Sequence, residues 1–136
     1  PGWVIETGHR TDPLTQAVAF FAATYRSLPQ SKLLGLLSDG RSRAQAGHRF
    51  AALLAAMGQG VEERASAIAP RWRDLPFDGH FIVGDQIAVT GHDLVAGMRA
   101  LDDLDVPVWS VDGGRVAAGE VLEAALRAAE GLRELI

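Results

Sequence analysis

A chain of 136 residues and 14.5 kDa has room for one domain with a modest core, so residues 1–136 are read as a single unit. Hydrophobic residues make up 48% and charged residues 22%, which excludes an unfolded tail, and no apolar run reaches the roughly 18–20 residues that cross a bilayer. The absence of cysteine removes disulfides, thiolate zinc sites and cysteine nucleophiles, and the net charge of −4 favours no partner by itself. That charge is uneven: residues 1–75 carry nine Arg/Lys against six Asp/Glu, and residues 76–136 carry four against eleven. Two oppositely charged halves of one fold resting on each other account for this. With no signal-peptide pattern at its start, the chain reads as cytoplasmic, with no membrane attachment.

Asp12-Pro13 opens the first helix, with Asp placed to cap and Pro at the first helical position. Leu14, Val18, Phe21, Tyr25 and Leu28 then recur at spacings of four and three until Pro29 ends the run. A short amphipathic piece with Leu33, Leu34, Leu36 and Leu37 follows and stops at Ser38-Asp39-Gly40. Ser42-Arg43-Ala44-Gln45 has the form of a capping box, in which Ser and Gln each satisfy a backbone donor near the other. From Ala44 through Gly47, Ala51, Leu54, Gly58, Val61, Ala65 and Ile68 the small and apolar residues alternate three and four apart. This predicts a long second helix closed by Pro70, running to about 40 Å at 1.5 Å per residue.

Residues 70–80 form a connection with two prolines and a turn-like Asp78-Gly79. Phe81 to Thr90 is apolar enough for a strand, yet Val83, Ile87, Thr90, Leu94, Gly97, Leu101 and Leu104 keep the helical period, and a third helix over about 83–103 is expected. Residues 104–114 read as a loop with a short extended piece. The last helix spans about 115–135, with Ala117, Val121, Ala124, Ala128, Gly131 and Leu135 on one seam. Residues 83–104 and 111–132 align with several identities, but their offset is four heptads, so two helices of the same period agree in phase without duplication.

The expected fold class is therefore all-α: an antiparallel four-helix bundle with one extra short helix folded over its end. The alternative is an α+β domain with a small βαβ unit in the C-terminal half, its strands at 86–90 and 106–111. An up-down-up-down order puts Trp3 and Trp72 at one end of the bundle and Trp109 at the other, near residues 28–40.

Four histidines occur: His9, His48, His80 and His92. Gly91-His92-Asp93-Leu94 resembles the metal-binding doublet of the HD phosphohydrolase family, and His48 resembles that family's upstream helical histidine. The resemblance covers these three residues and implies a metal-dependent enzyme in an all-helical fold. The register, however, puts Asp85, His92 and Arg99 seven apart on an outward face, which suits solvent better than a buried metal. His48, His80, His92 and Asp93 are carried as a polar site for the second functional reading, a small metal- or ligand-binding enzyme. Pro1-Gly2-Trp3-Val4-Ile5 resembles the start of the tautomerase superfamily, whose members use an N-terminal proline amine as a base; nothing further along the chain does. No P-loop, G-x-G-x-x-G, Glu-x-x-His or nucleophile elbow is present, so no cofactor and no resident metal is expected. The basic residues Arg41, Arg43, Arg49, Arg71 and Arg73 are scattered and carry no recognition-helix signature, so nucleic acid is not the expected partner.

The most informative anomaly is apolar excess on the second helix. Residues 50–58, FAALLAAMG, are apolar on every side, and Phe50, Leu53, Met57 and Gly60 form a second stripe that Phe20 can extend. The first functional reading is accordingly a helical-bundle protein that acts by protein–protein association. A homodimer or a complex with another protein would form through Phe20, Phe50, Leu53 and Met57; whether the chain is an enzyme is left open.

Overall fold

The computed structural model describes residues 8–136. Pro1, named for N-terminal amine chemistry, and Trp3, placed at a bundle end, lie outside the described residues.

Five helices make up most of the chain: α1 (Asp12–Ser27), α2 (Gln30–Leu34), α3 (Arg43–Glu62), α4 (Val83–Arg99) and α5 (Ala118–Leu135). A 3-10 turn at His80–Ile82 leads into α4, and β1 (Pro107–Trp109) pairs antiparallel with β2 (Arg115–Ala117). The fold class is all-α, a helical bundle with a two-stranded hairpin. The βαβ alternative is excluded, because residues 86–90 lie inside α4 and the partner of β1 is the antiparallel β2. Nor is the 28-residue repeat structural, since turn and strand occupy residues that align with the first turns of α4.

The capping box forms as read: Gln45 N–H donates to Ser42 Oγ at 3.0 Å, and Ser42 N–H donates to Gln45 Oε1 at 2.8 Å. At α1 the cap position is Thr11, which makes no side-chain cap, so Asp12 does not cap; its carboxylate lies 3.5 Å from Arg99 instead. The third expected helix starts at Val83 as predicted but ends at Arg99, short of the expected 103, and Asp85, His92 and Arg99 are exposed on its outward face.

The long helix stops at Glu62, well short of Pro70. Periodicity cannot see the reason, which is non-local. The Arg64 and Ser66 carbonyls, which a continued helix would use internally, each accept a hydrogen bond from the Arg115 guanidinium at 2.6 Å. Beyond this turn the chain runs back along α3. The Gln59 side chain donates to the Arg71 carbonyl at 2.8 Å and accepts from Arg73 N–H at 2.9 Å, and His48 holds the Leu75 carbonyl at 2.7 Å. Ten open residues at about 3.3 Å each span about 33 Å, close to the length of a helix the size of α3 at 1.5 Å per residue.

This crossover returns the chain to the beginning of α3, so α4 runs parallel to it. Gly47 faces Val83, Gly58 faces Leu94 and Val61 faces Gly97, a register that advances together along both helices. The up-down-up-down order is corrected accordingly. α1 lies antiparallel to both: Gly91 meets Val18 and Gly84 meets Ala22, while Phe21 stacks edge-on against Phe50 and the Tyr25 hydroxyl donates to the Arg43 carbonyl at 2.7 Å. Burial pushes the Tyr25 phenol up to about 12. The parallel α4 also moves Trp109. Its carbonyl lies against Gly60 and Arg115 stacks 4.0 Å over its ring, at the end of the bundle where Gln59 holds the chain around Trp72, and not near residues 28–40.

Candidate functional site

Of the four apolar residues expected at an interface, two are inside the chain. Phe50 is 4% exposed and Met57 5%, so the second stripe of α3 is largely covered by the chain's own helices and these two side chains are core. Phe20 and Leu53 remain accessible and stand in two grooves that flank α5. One, about 250 Å³, lies between α1 and α5, where the Arg133 guanidinium sits 4.6 Å over the Phe20 ring. The other, about 470 Å³, lies between α3 and α5 and is lined by Phe50, Leu53, Ala128, Gly131 and Leu135, with Arg49 at its edge. A Cβ added at Gly131 would meet nothing within 4 Å.

The four polar candidates divide. His48 and His80 both attend the last part of the crossover: the His48 ring lies 5.2 Å from Phe77, and the His80 ring 4.4 Å from Phe81. His80 Nε2 is buried with no partner, as is Gln86 Oε1, while the Gln86 amide donates to the Pro76 carbonyl at 2.8 Å. His92 and Asp93, adjacent on α4, point into different grooves. His92 borders the α1–α4 groove with Val18 and Ala22, whereas Asp93 borders a groove of about 680 Å³ between α3, α4 and the crossover. Since Gly47 is level with Val83, His92 lies eight residues beyond the level of His48, about 12 Å along the bundle. The three residues resembling an HD site are therefore not brought together. Among the described residues, no three His, Asp or Glu side chains are placed to share a metal ion.

The groove beside Asp93 has a small-residue floor, Gly58, Ala96 and Gly97, and charged walls, where Arg73 pairs with Glu62 at 2.9 Å. Arg64, also on this wall, donates to the Val61 carbonyl at 2.9 Å, so both arginines are committed to protein acceptors.

One surface escaped the sequence reading. At the end of the bundle where α3 begins, Leu34 is 50% exposed, Leu36 75%, Phe77 46% and Phe81 63%. They come from α2, its C-terminal extension, the crossover and the 3-10 turn. α2 packs against that turn, and Leu36 bridges to Ser42. Beside Phe77 lies a concavity of about 320 Å³ walled by Arg41, Gln45, His48 and Arg49. Arg41 pairs with Asp39 at 3.0 Å, and its backbone N–H, donating to the Asp39 carboxylate, holds that carboxyl below its ordinary value. Arg49 makes no ion pair among the described residues. The only signals for this surface were apolar residues beside turn formers, Leu36 after Gly35 and Phe77 between Pro76 and Asp78, which carry no period.

No described helix is long and apolar enough to cross a membrane. Compared with protein families, curated proteins and solved structures, the chain matches none.

Proposed function

We propose that this chain works by binding a helix of another protein, in the simplest case a second copy of itself, along the face shared by α3 and α5. The observation that carries this reading is the apolar groove between those helices, where Leu53, Ala128 and Leu135 are partly buried and a Cβ at Gly131 would meet nothing within 4 Å. A second helix laid there completes the packing that α5 alone leaves unfinished, and the small residues let its backbone come close. A two-fold pair built on this strip would be closed and self-limiting.

The test is the mass in solution across a wide concentration range, with Leu53→Glu as the disrupting variant. The expected result is a dimer that becomes a monomer in the variant with the thermal midpoint of the monomer retained, since Leu53 is not a core residue. If the chain is monomeric throughout, the same variant is tested for loss of a stable complex with a separately identified helical partner. A Leu53→Glu protein that associates as the parent does would overturn the reading.

A further inference from the structure

The end of the bundle carrying Leu36, Phe77 and Phe81 adjoins the strip along α5, sharing Arg41 and Arg49 with it, and its hydrogen-bonding inventory is one-sided. Around the concavity the acceptors are consumed internally. Gln45 Oε1 accepts from Ser42 N–H, the Asp39 carboxylate accepts from Arg41, and the Leu75 carbonyl accepts from His48 Nε2. The lining side chains keep donors with no partner among the described residues: the Arg49 guanidinium, the remaining N–H groups of Arg41 and the Gln45 amide nitrogen. The one acceptor remaining on this wall is His48 Nδ1, because the Leu75 carbonyl requires the proton on Nε2. Lys32 and Arg43 lie on the same end, where the Arg43 guanidinium donates to the Lys32 carbonyl at 2.6 Å. Phe77 supplies an apolar wall, and Leu36 and Phe81 extend the apolar surface beyond it.

Donors in excess of acceptors, beside exposed aromatic surface, match a ligand that brings carboxylates and apolar side chains together. We propose that this end of the bundle docks an acidic, amphipathic segment of another protein. Its carboxylates sit on Arg41, Arg49 and the Gln45 amide, and an aromatic or branched aliphatic side chain covers Phe77. Two copies of this chain meeting end to end would oppose Arg41 and Arg49 of each, so this is not a self-association surface.

The experiment uses a fluorescein-labelled peptide alternating glutamate with leucine and phenylalanine, read by anisotropy, against the same pattern with lysine in place of glutamate. The acidic peptide is expected to bind and the basic one not, with affinity falling as salt is raised. Gln45→Glu is the decisive variant. Glutamate keeps the capping box, so the start of α3 and the thermal midpoint hold, but it removes the amide donor and puts a negative charge into the concavity. Binding should weaken by about tenfold or more, with a similar loss for Phe77→Ser. Gly131→Ala, which brings no charge near Arg49, should leave peptide binding unchanged, which separates a failure here from a failure of the α3–α5 strip. The proposal is overturned if both peptides bind alike, if neither binds, or if Gln45→Glu binds as the parent does. Binding to phosphatidylglycerol vesicles with no binding of the acidic peptide would overturn it in favour of a lipid surface.

Discussion

α3 packs on two sides, and the contacts differ in kind. Toward α4 and α1 the bundle is closed by glycine. A methyl group at Gly47 would come within 2.5 Å of the Tyr25 ring and 2.8 Å of Val83, and one at Gly91 within 2.5 Å of Val18. Toward α5 the seam stays open: Gly131 has nothing above it, and an apolar groove remains. In sequence Gly47 and Gly131 look alike, each sitting on a three-and-four seam. One is small because a neighbour occupies the space, and the other leaves space for something else. The closed side is the core of the monomer, and the open side is where a partner helix has room.

The largest effect should come from filling the closed side. Gly91→Leu drives a side chain into Val18 between two helices that cannot separate without losing the core, and about 3 kcal/mol or more of stability should disappear. The shift in urea midpoint measures it; a loss under about 1 kcal/mol would mean that α1 and α4 are less tightly registered than described. Next in size is Gln59→Leu. The variant keeps the volume but strands the Arg71 carbonyl and the Arg73 N–H, at a cost of about 2 kcal/mol. Hydrogen exchange should rise over residues 70–76 while α4 stays protected. If exchange rises equally in α4, the crossover is not a separately anchored strap but part of the packed seam.

The capping box at Ser42, the buried faces of α1 and α4 and the stop of α1 at Pro29 were all legible, because each is written within one turn or one period of the chain. The stop of α3 was not. Ala65 and Ile68 keep the spacing, but the carbonyls of Arg64 and Ser66 are claimed by Arg115, about fifty positions away, and Ile68 ends up exposed. Direction was equally hidden: Val83, Ile87 and Leu94 mark which face of α4 is buried, but only the crossover, fastened by Gln59 and His48, makes α4 parallel to α3. The apolar excess around Phe50 was read as a stripe for a partner to cover, whereas the chain's own helices bury Phe50 and Met57, with Phe21 of α1 stacked on Phe50. Leu36 and Phe81 were read inside apolar runs and Phe77 was passed over, because the exposure of a single side chain in a turn has no period. The polar residues fared worst, since His92 and Asp93 are neighbours in sequence and face different grooves for the ordinary reason that a helix turns about 100° per residue.

Tyr25 probes the closed side more gently. It is the one tyrosine in the chain, so its ultraviolet titration is unambiguous. Its folded pKa of about 12 lies above the ordinary phenol value. The neutral hydroxyl's contribution is therefore complete below about pH 10 and is lost as the pH rises toward 12, so phenolate formation should coincide with alkaline unfolding. Tyr25→Phe should cost about 1 kcal/mol at neutral pH, one hydrogen bond to the Arg43 carbonyl. Titration of the phenol near 10 with the fold intact would show that the ring beside Gly47 is not sealed.

Gly131→Ala is the smallest change and bears most directly on the open side. In an isolated bundle the added methyl meets nothing within 4 Å, while a glycine inside α5 costs helix stability, so the variant monomer should gain up to about 1 kcal/mol. A helix seated over that position reverses the expectation for association, because its backbone would have to move away from the new methyl. Thermal melts at low concentration and association at high concentration should therefore move in opposite directions: the monomer firmer, the complex weaker. If both rise together, α5 offers Gly131 to solvent alone, and the contact with a partner lies elsewhere on the strip, nearer Leu53.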